Sequence, residues 1–180
     1  VDDPEILDYL NQENGWFGAH MAPQQPLIDT LFKEMRGRIK EADESVPQKD
    51  GDWLYWVSFE EGAEYRKHWR KAADGSGDAQ LIFDEPAMAE GKEYFSLGAM
   101  SVSPDGRLLA YAVDDNGSER YTARVRDLET GADLPDAIPG TLSDLVWTAD
   151  GSGFLYCLAN EQWRTDNARL HRLGDDPAKD

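Results

Sequence analysis

The spacing of hydrophobic positions changes character near residue 45. Before it, apolar residues recur at helical steps. Asp3-Pro4 reads as a helix start, with a capping carboxylate and proline at the first helical position. Ile6, Leu7 and Leu10 share one face, with Trp16 or Phe17 a turn or two further on, and this helix is expected to end near Ala22-Pro23. Pro26 opens a second helix, in which Leu27, Ile28, Leu31, Phe32, Met35 and Ile39 form an apolar stripe. Gly37 weakens its last turn by about 1 kcal/mol relative to alanine. The acidic stretch from Glu41 to Ser45 ends the helical part. At Ser45-Val46-Pro47 the pattern switches to short strands and turns, which divides the chain into a helical arm over 1–44 and a β region over 45–180.

Within the β region, Leu97 to Gly131 predicts an antiparallel meander. Ala99 to Ser103 is a first strand, and Pro104-Asp105-Gly106 turns the chain. Leu108 to Val113 is apolar at every position, as expected of a strand covered on both faces. After the turn cluster Asp114 to Ser118, Tyr121 to Asp127 alternates, with Tyr121, Ala123 and Val125 on one side and Thr122, Arg124 and Arg126 on the other. A short fourth strand is read near Ala132 to Ile138, broken by Pro135 and Pro139 and so placed at a free edge.

The meander repeats. Asp150-Gly151 follows Asp105-Gly106 at a spacing of 45 residues. At that offset Val102 meets Trp147, Leu109 meets Phe154, Tyr111 meets Tyr156, Val113 meets Leu158 and Val125 meets Leu170, without a gap. A fainter copy begins at Asp50-Gly51, with Trp53 to Phe59 and Tyr65 to Ala72 as strands, followed by a polar loop at Asp74 to Asp78 and the apolar Leu81 to Phe83. Asp84 to Tyr94 reads as a linker with one helical turn. Strand units repeating every 40–50 residues or so indicate propeller blades. The fold class is therefore mainly β: an incomplete β-propeller behind a two-helix arm. Two blades and part of a third cannot close a ring of about four to eight, so the chain is read as part of a longer protein.

Composition adds exclusions. The formal charge of −18 opposes unspecific nucleic-acid binding, which needs basic side chains at phosphates, and favours the approach of cationic ligands. No apolar run is long enough to span a membrane. Cys157, the single cysteine, reads as a small buried hydrophobe in a blade strand. No Gly-x-Ser-x-Gly elbow, dinucleotide fingerprint or phosphate loop is present. His20, His68 and His171 have no partner at metal-ligand spacing, and His171 falls on the polar side of its strand. The paired carboxylates Glu60-Glu61, Asp114-Asp115 and Asp175-Asp176 read as solvated turns, and the tryptophans as packing residues. No catalytic, cofactor-binding or metal residue is assigned, and no cofactor.

Two N-terminal blocks and one central block carry a family resemblance. They are Asp3-Pro4-Glu5-Ile6-Leu7-Asp8-Tyr9-Leu10 with Glu13-Asn14, and Leu31-Phe32-Lys33-Glu34-Met35-Arg36-Gly37-Arg38-Ile39-Lys40 with Ser45-Val46-Pro47. The third is Tyr94-Phe95-Ser96-Leu97-Gly98, followed by Val102-Ser103-Pro104-Asp105-Gly106 and Glu119-Arg120-Tyr121. In this order they resemble the N-terminal part of the oligopeptidase B group of the prolyl oligopeptidase family of serine peptidases. The segment Glu161 to Asn167 departs from the family's wording.

The resemblance implies a seven-bladed propeller capping a C-terminal α/β-hydrolase domain, with the helical arm packed on that domain. The triad, the oxyanion hole and the acidic pocket for the substrate's Arg or Lys would all lie in the hydrolase domain. Residues 1–180 alone are then expected to be inactive. The whole protein would hydrolyse short basic peptides after Arg or Lys, with the propeller restricting substrate size. The alternatives are cleavage after proline and a non-enzymatic propeller scaffold. A cytoplasmic location is the first reading and a periplasmic one the second.

Overall fold

Helical periodicity at the N-terminus gives two helices joined by a single 3-10 turn. The computed structural model describes residues 3–180. These divide into one unit ending at Glu41 and another running from Ala42 to Asp180. Helix α1 spans Pro4–Met21, and the Asp3 carboxylate accepts a hydrogen bond from the Glu5 amide at 3.0 Å, capping one of the free N–H groups of the first turn. Helix α2 spans Gln25–Arg36, short of the full stripe: the Gly37 amide makes the last bond four residues back, to Lys33, and the Arg38 and Ile39 amides then bond three residues back, to Met35 and Arg36. Ile39 therefore lies beyond the helix. Neither helix buries a side chain.

The second unit contains three antiparallel sheets among the described residues. In the first, β1 (Asp43–Glu44) and β2 (Gln48–Asp50) both pair with β3 (Trp53–Phe59), followed by β4 (Lys67–Ala72) and β5 (Gln80–Asp84). A short helix α3 (Glu85–Ala89) leads to the second sheet: β6 (Ser96–Val102), β7 (Leu108–Asp114), β8 (Tyr121–Asp127) and β9 (Asp133–Thr141), in sequential order. The third comprises β10 (Leu145–Trp147), β11 (Gly153–Ala159) and β12 (Thr165–Arg172).

Some boundaries differ from the sequence reading. β1 and β2 are too short and polar to show a period. β4 begins at Lys67 rather than Tyr65. β9 runs through both prolines, with Pro139 opposite Thr122 on the outer strand, where a missing donor costs no ladder bond.

The 45-residue repeat is a repeat of register. Val102 lies opposite Leu109, as Trp147 lies opposite Phe154. Tyr111 lies opposite Arg124, as Tyr156 lies opposite Arg169. The turns match as well: the Gly106 amide donates to the Ser103 carbonyl at 2.8 Å and the Gly151 amide to the Thr148 carbonyl at 2.9 Å. Asp105 and Asp150 each accept a side-chain hydroxyl, from Ser103 and Thr148, and each also accepts the amide two residues on. The first sheet keeps the pairing of its middle strands, since Leu54 faces Lys71 as Leu109 faces Arg126.

β7 explains the layering. Leu109, Tyr111 and Val113 pack toward the first sheet with Ile82, Phe83 and Phe95. Ala110 and Ala112 pack the other way, against Leu145, Phe154 and Tyr156 of the third sheet. A strand covered on both faces must be apolar throughout, and its alanines set how closely the next sheet approaches.

Candidate functional site

Two of the three histidines are buried within hydrogen-bond distance of carboxylates. His68 on β4 places Nε2 2.6 Å from Glu85, the first residue of α3, and packs edge-on against Phe83. Arg66 also donates to Glu85, at 3.1 Å. Burial pushes the Glu85 carboxyl up, but the bonds from His68 and Arg66 outweigh it and hold the group below its ordinary range.

His171 on β12 is fully buried, not on a polar face as the alternation predicted. Its Nε2 lies 2.9 Å from Asp136 Oδ1 on β9, and its Nδ1 lies 3.0 Å from Asp180 Oδ2. The Gly174 amide donates to Asp136 at 2.7 Å and the Tyr156 hydroxyl to Asp180 at 3.0 Å. Burial raises Asp136, but the Gly174 amide and His171 bring it below the usual carboxylate range. His20 is exposed on α1 and stacks on Trp16 at 5.1 Å.

The carboxylate pairs divide. Glu60 and Glu61 are exposed in a turn, and so are Asp175 and Asp176 at or beside one. Asp114 is not solvated: it is buried at the end of β7, where it accepts the amides of Asn116, Gly117 and Glu119. Burial raises its carboxyl, yet these amides hold it below its ordinary value. The Asn116-Gly117 step after it signals such a turn; nothing in the sequence marks Asp136 or Glu85. Cys157 is half-buried rather than fully enclosed. Among the described residues no group of three or more His, Cys, Asp or Glu is arranged to hold a metal ion, and no helix is long and apolar enough to cross a membrane.

Trp53, Trp147 and Trp163 serve the seams between sheets, while Trp56 and Trp69 stack on each other within the first. Arg70 lies 3.9 Å over Trp53 and donates to the Gly106 carbonyl, joining first and second sheets. The Trp147 indole donates to Ser101 at 2.9 Å, joining third and second. Arg120 reaches from the second sheet to the Ala159 carbonyl at 3.2 Å and lies over Trp163 at 4.1 Å. A groove of about 330 Å³ runs beside the first seam, bordered by Gln80, Phe83, Arg126, Leu128 and Thr130.

Two apolar surfaces remain exposed. One is the stripe of α2, from Ile28 at 39% to Phe32 at 60% exposure, with Ile6, Leu7 and Leu10 exposed on α1. The other crosses the third sheet in one row: Val146 pairs with Leu155, and Leu155 with Leu170. Their equivalents one repeat earlier are Ser101, Ala110 and Val125, and the last two are completely buried. The third sheet thus presents outward the face that the second sheet buries.

Comparison with known proteins agrees with this architecture. The family described as prolyl oligopeptidase, N-terminal beta-propeller domain, matches residues 1–180. The chain is 37% identical to dipeptidyl aminopeptidase BI of Pseudoxanthomonas mexicana, over 99% of this chain and 27% of that protein. It is 28% identical to protease 2 of Moraxella lacunata, again over 99% of this chain and 27% of that protein. Oligopeptidase B from Leishmania major superposes with a TM-score of 0.89 at 27% identity, over 99% of this chain and 26% of that one. Oligopeptidase B from Trypanosoma brucei, in a closed form with covalently bound antipain, superposes with a TM-score of 0.86 at 28% identity, over 98% of this chain and 25% of that one. The chain spans about a quarter of the length of these relatives.

Proposed function

The chain belongs to the prolyl oligopeptidase family as its N-terminal β-propeller domain, and from that premise we propose that it forms the first blades of a serine oligopeptidase that cleaves short peptides after Arg or Lys. The observation that carries the reading is the likeness over nearly the whole chain to two oligopeptidases B, both above 25% identity.

In this reading residues 1–44 are an arm whose apolar stripes pack on a C-terminal α/β-hydrolase domain. Residues 45–180 are propeller blades, and the row Val146, Leu155 and Leu170 is covered by the blade that follows. Nucleophile, base and oxyanion hole belong to the hydrolase domain, so the fragment 1–180 alone has no activity. The propeller limits access to short peptides. The net charge of −18 favours basic ones by long-range attraction, an effect that weakens with salt. The cell compartment of the reading is the cytoplasm.

A second reading has its own support: the relative at 37% identity is named a dipeptidyl aminopeptidase. An enzyme of that kind requires a free substrate amine, whereas an endopeptidase does not. The test is a panel of chromogenic amides on the full-length protein: N-blocked arginyl, N-blocked prolyl and free-amine dipeptidyl. Turnover of the blocked arginyl substrate is expected. Turnover confined to free-amine dipeptides would replace the proposal with the aminopeptidase reading, and turnover confined to blocked prolyl substrates would replace it with cleavage after proline.

A further inference from the structure

The second and third sheets are each joined to a cluster of a tyrosine, a basic side chain and an aspartate, and the basic side chain differs. In the second sheet the Tyr111 hydroxyl donates to Asp133 at 2.8 Å and the Arg126 Nε donates to the same carboxylate at 2.8 Å. Forty-five residues on, Tyr156 stands for Tyr111 and His171 for Arg126, and Asp180, outside the repeat register and beyond the last strand, is the carboxylate that meets both. Arg126 holds a fixed charge. His171 does not, and it does more, since its second nitrogen reaches across the seam to Asp136 on the outer strand of the second sheet.

Every group packed on this imidazole bears on its protonation. Asp136 faces it from β9, with the Gly174 amide on the same oxygen. Asp180 faces it from the chain beyond β12, shared with the Tyr156 hydroxyl from β11; Arg169 on β12 lies near that phenol. The Phe154 ring covers one face at 5.5 Å. A neutral imidazole has one donor and one lone pair. With an acceptor carboxylate at each nitrogen, only the imidazolium donates in both directions. Loss of its proton turns a lone pair toward a buried carboxylate and leaves one bond unmade, which is costly where no water enters.

We propose that His171, held between Asp136 and Asp180, is a proton-dependent latch joining the second and third blades: it is closed when the imidazole carries both protons and loosened when it loses one. The sign is fixed by the geometry. The protonated state fits the closed seam, so the latch's contribution is present at lower pH and lost as pH rises.

The test is hydrogen–deuterium exchange of the full-length protein, corrected for the intrinsic pH dependence of exchange, from about pH 6 to about pH 9. Peptides covering β12 and the 172–176 turn are expected to lose protection on the order of tenfold in the wild-type protein, equivalent to about 1.4 kcal/mol. His171→Gln should show weak protection throughout with no such step, and Asp136→Asn should weaken the seam at the lower pH. Wild-type protection that stays constant across the range would overturn the proposal. That measurement needs no variant to fold. A step of equal size in His171→Gln would overturn it as well, by assigning the pH dependence to another group.

Discussion

Close approach at single residues decides several features of the sheets. A Cβ on Gly153 would lie 2.1 Å from the His171 carbonyl oxygen and 3.1 Å from the Arg172 Cα, so β11 and β12 could not keep their spacing. Gly153→Ala is expected to lower stability by about 1–3 kcal/mol, as overpacking does. Gly131→Ala, at a positive φ of 74° but in open space, should cost only about 1 kcal/mol, and thermal unfolding of the two variants checks the order. Asp114 anchors its turn through three amides, and Asp114→Ala should cost about 1.5–3 kcal/mol. Asp114 and Asp136 are both held below the ordinary carboxylate range in the folded chain. Their contribution is therefore complete above a pH of about 4 and is lost as pH falls through their folded values. An acid titration of unfolding should show Asp114→Asn with a shallower acid decline than the wild type. The turn at Asp114 was legible in the chain, but the burial of these carboxylates, like that of His171, was not. Period assigns a residue to a side of a strand but not to a partner, and a lone polar residue at a seam looks like one facing water.

At the level of elements, the strands of the second sheet were legible because β7 is apolar throughout and β8 alternates, and the 45-residue offset carried the same register into the third. β1 and β2 were not, because two or three polar residues have no period and are ordered by pairing to β3. The shortened α2 has the same lesson in reverse, since Ile39 continues the stripe while Gly37 ends the helix. The exposed row of the third sheet gives a prediction at this scale. Ala110 is completely buried while its equivalent Leu155 is 45% exposed. If the next blade covers that row, Leu155→Lys in the full-length protein should lower stability by more than about 1.5 kcal/mol, the scale of burying one leucine. A change within about 0.5 kcal/mol, usual for an exposed site, would mean that the row faces solvent.

For the whole molecule, the organising fact is that the described blades tie their buried polar groups to one another across elements and sheets. The histidines of the β unit are committed to carboxylates that tie elements together: His68 links β4 to α3 and His171 links two sheets. The motifs that identified the family, from Asp3-Pro4 to Ser-Pro-Asp-Gly, serve helix caps and turns. Their conformational demands made the fold readable. A fluorophosphonate probe labels only an activated serine and so reports whether, and where, the protein carries one. Labelling of the full-length protein at one serine beyond residue 180 is expected, and none of the isolated chain 1–180. A full-length protein that stays unlabelled, or a labelled serine within residues 1–180, would contradict the proposed function.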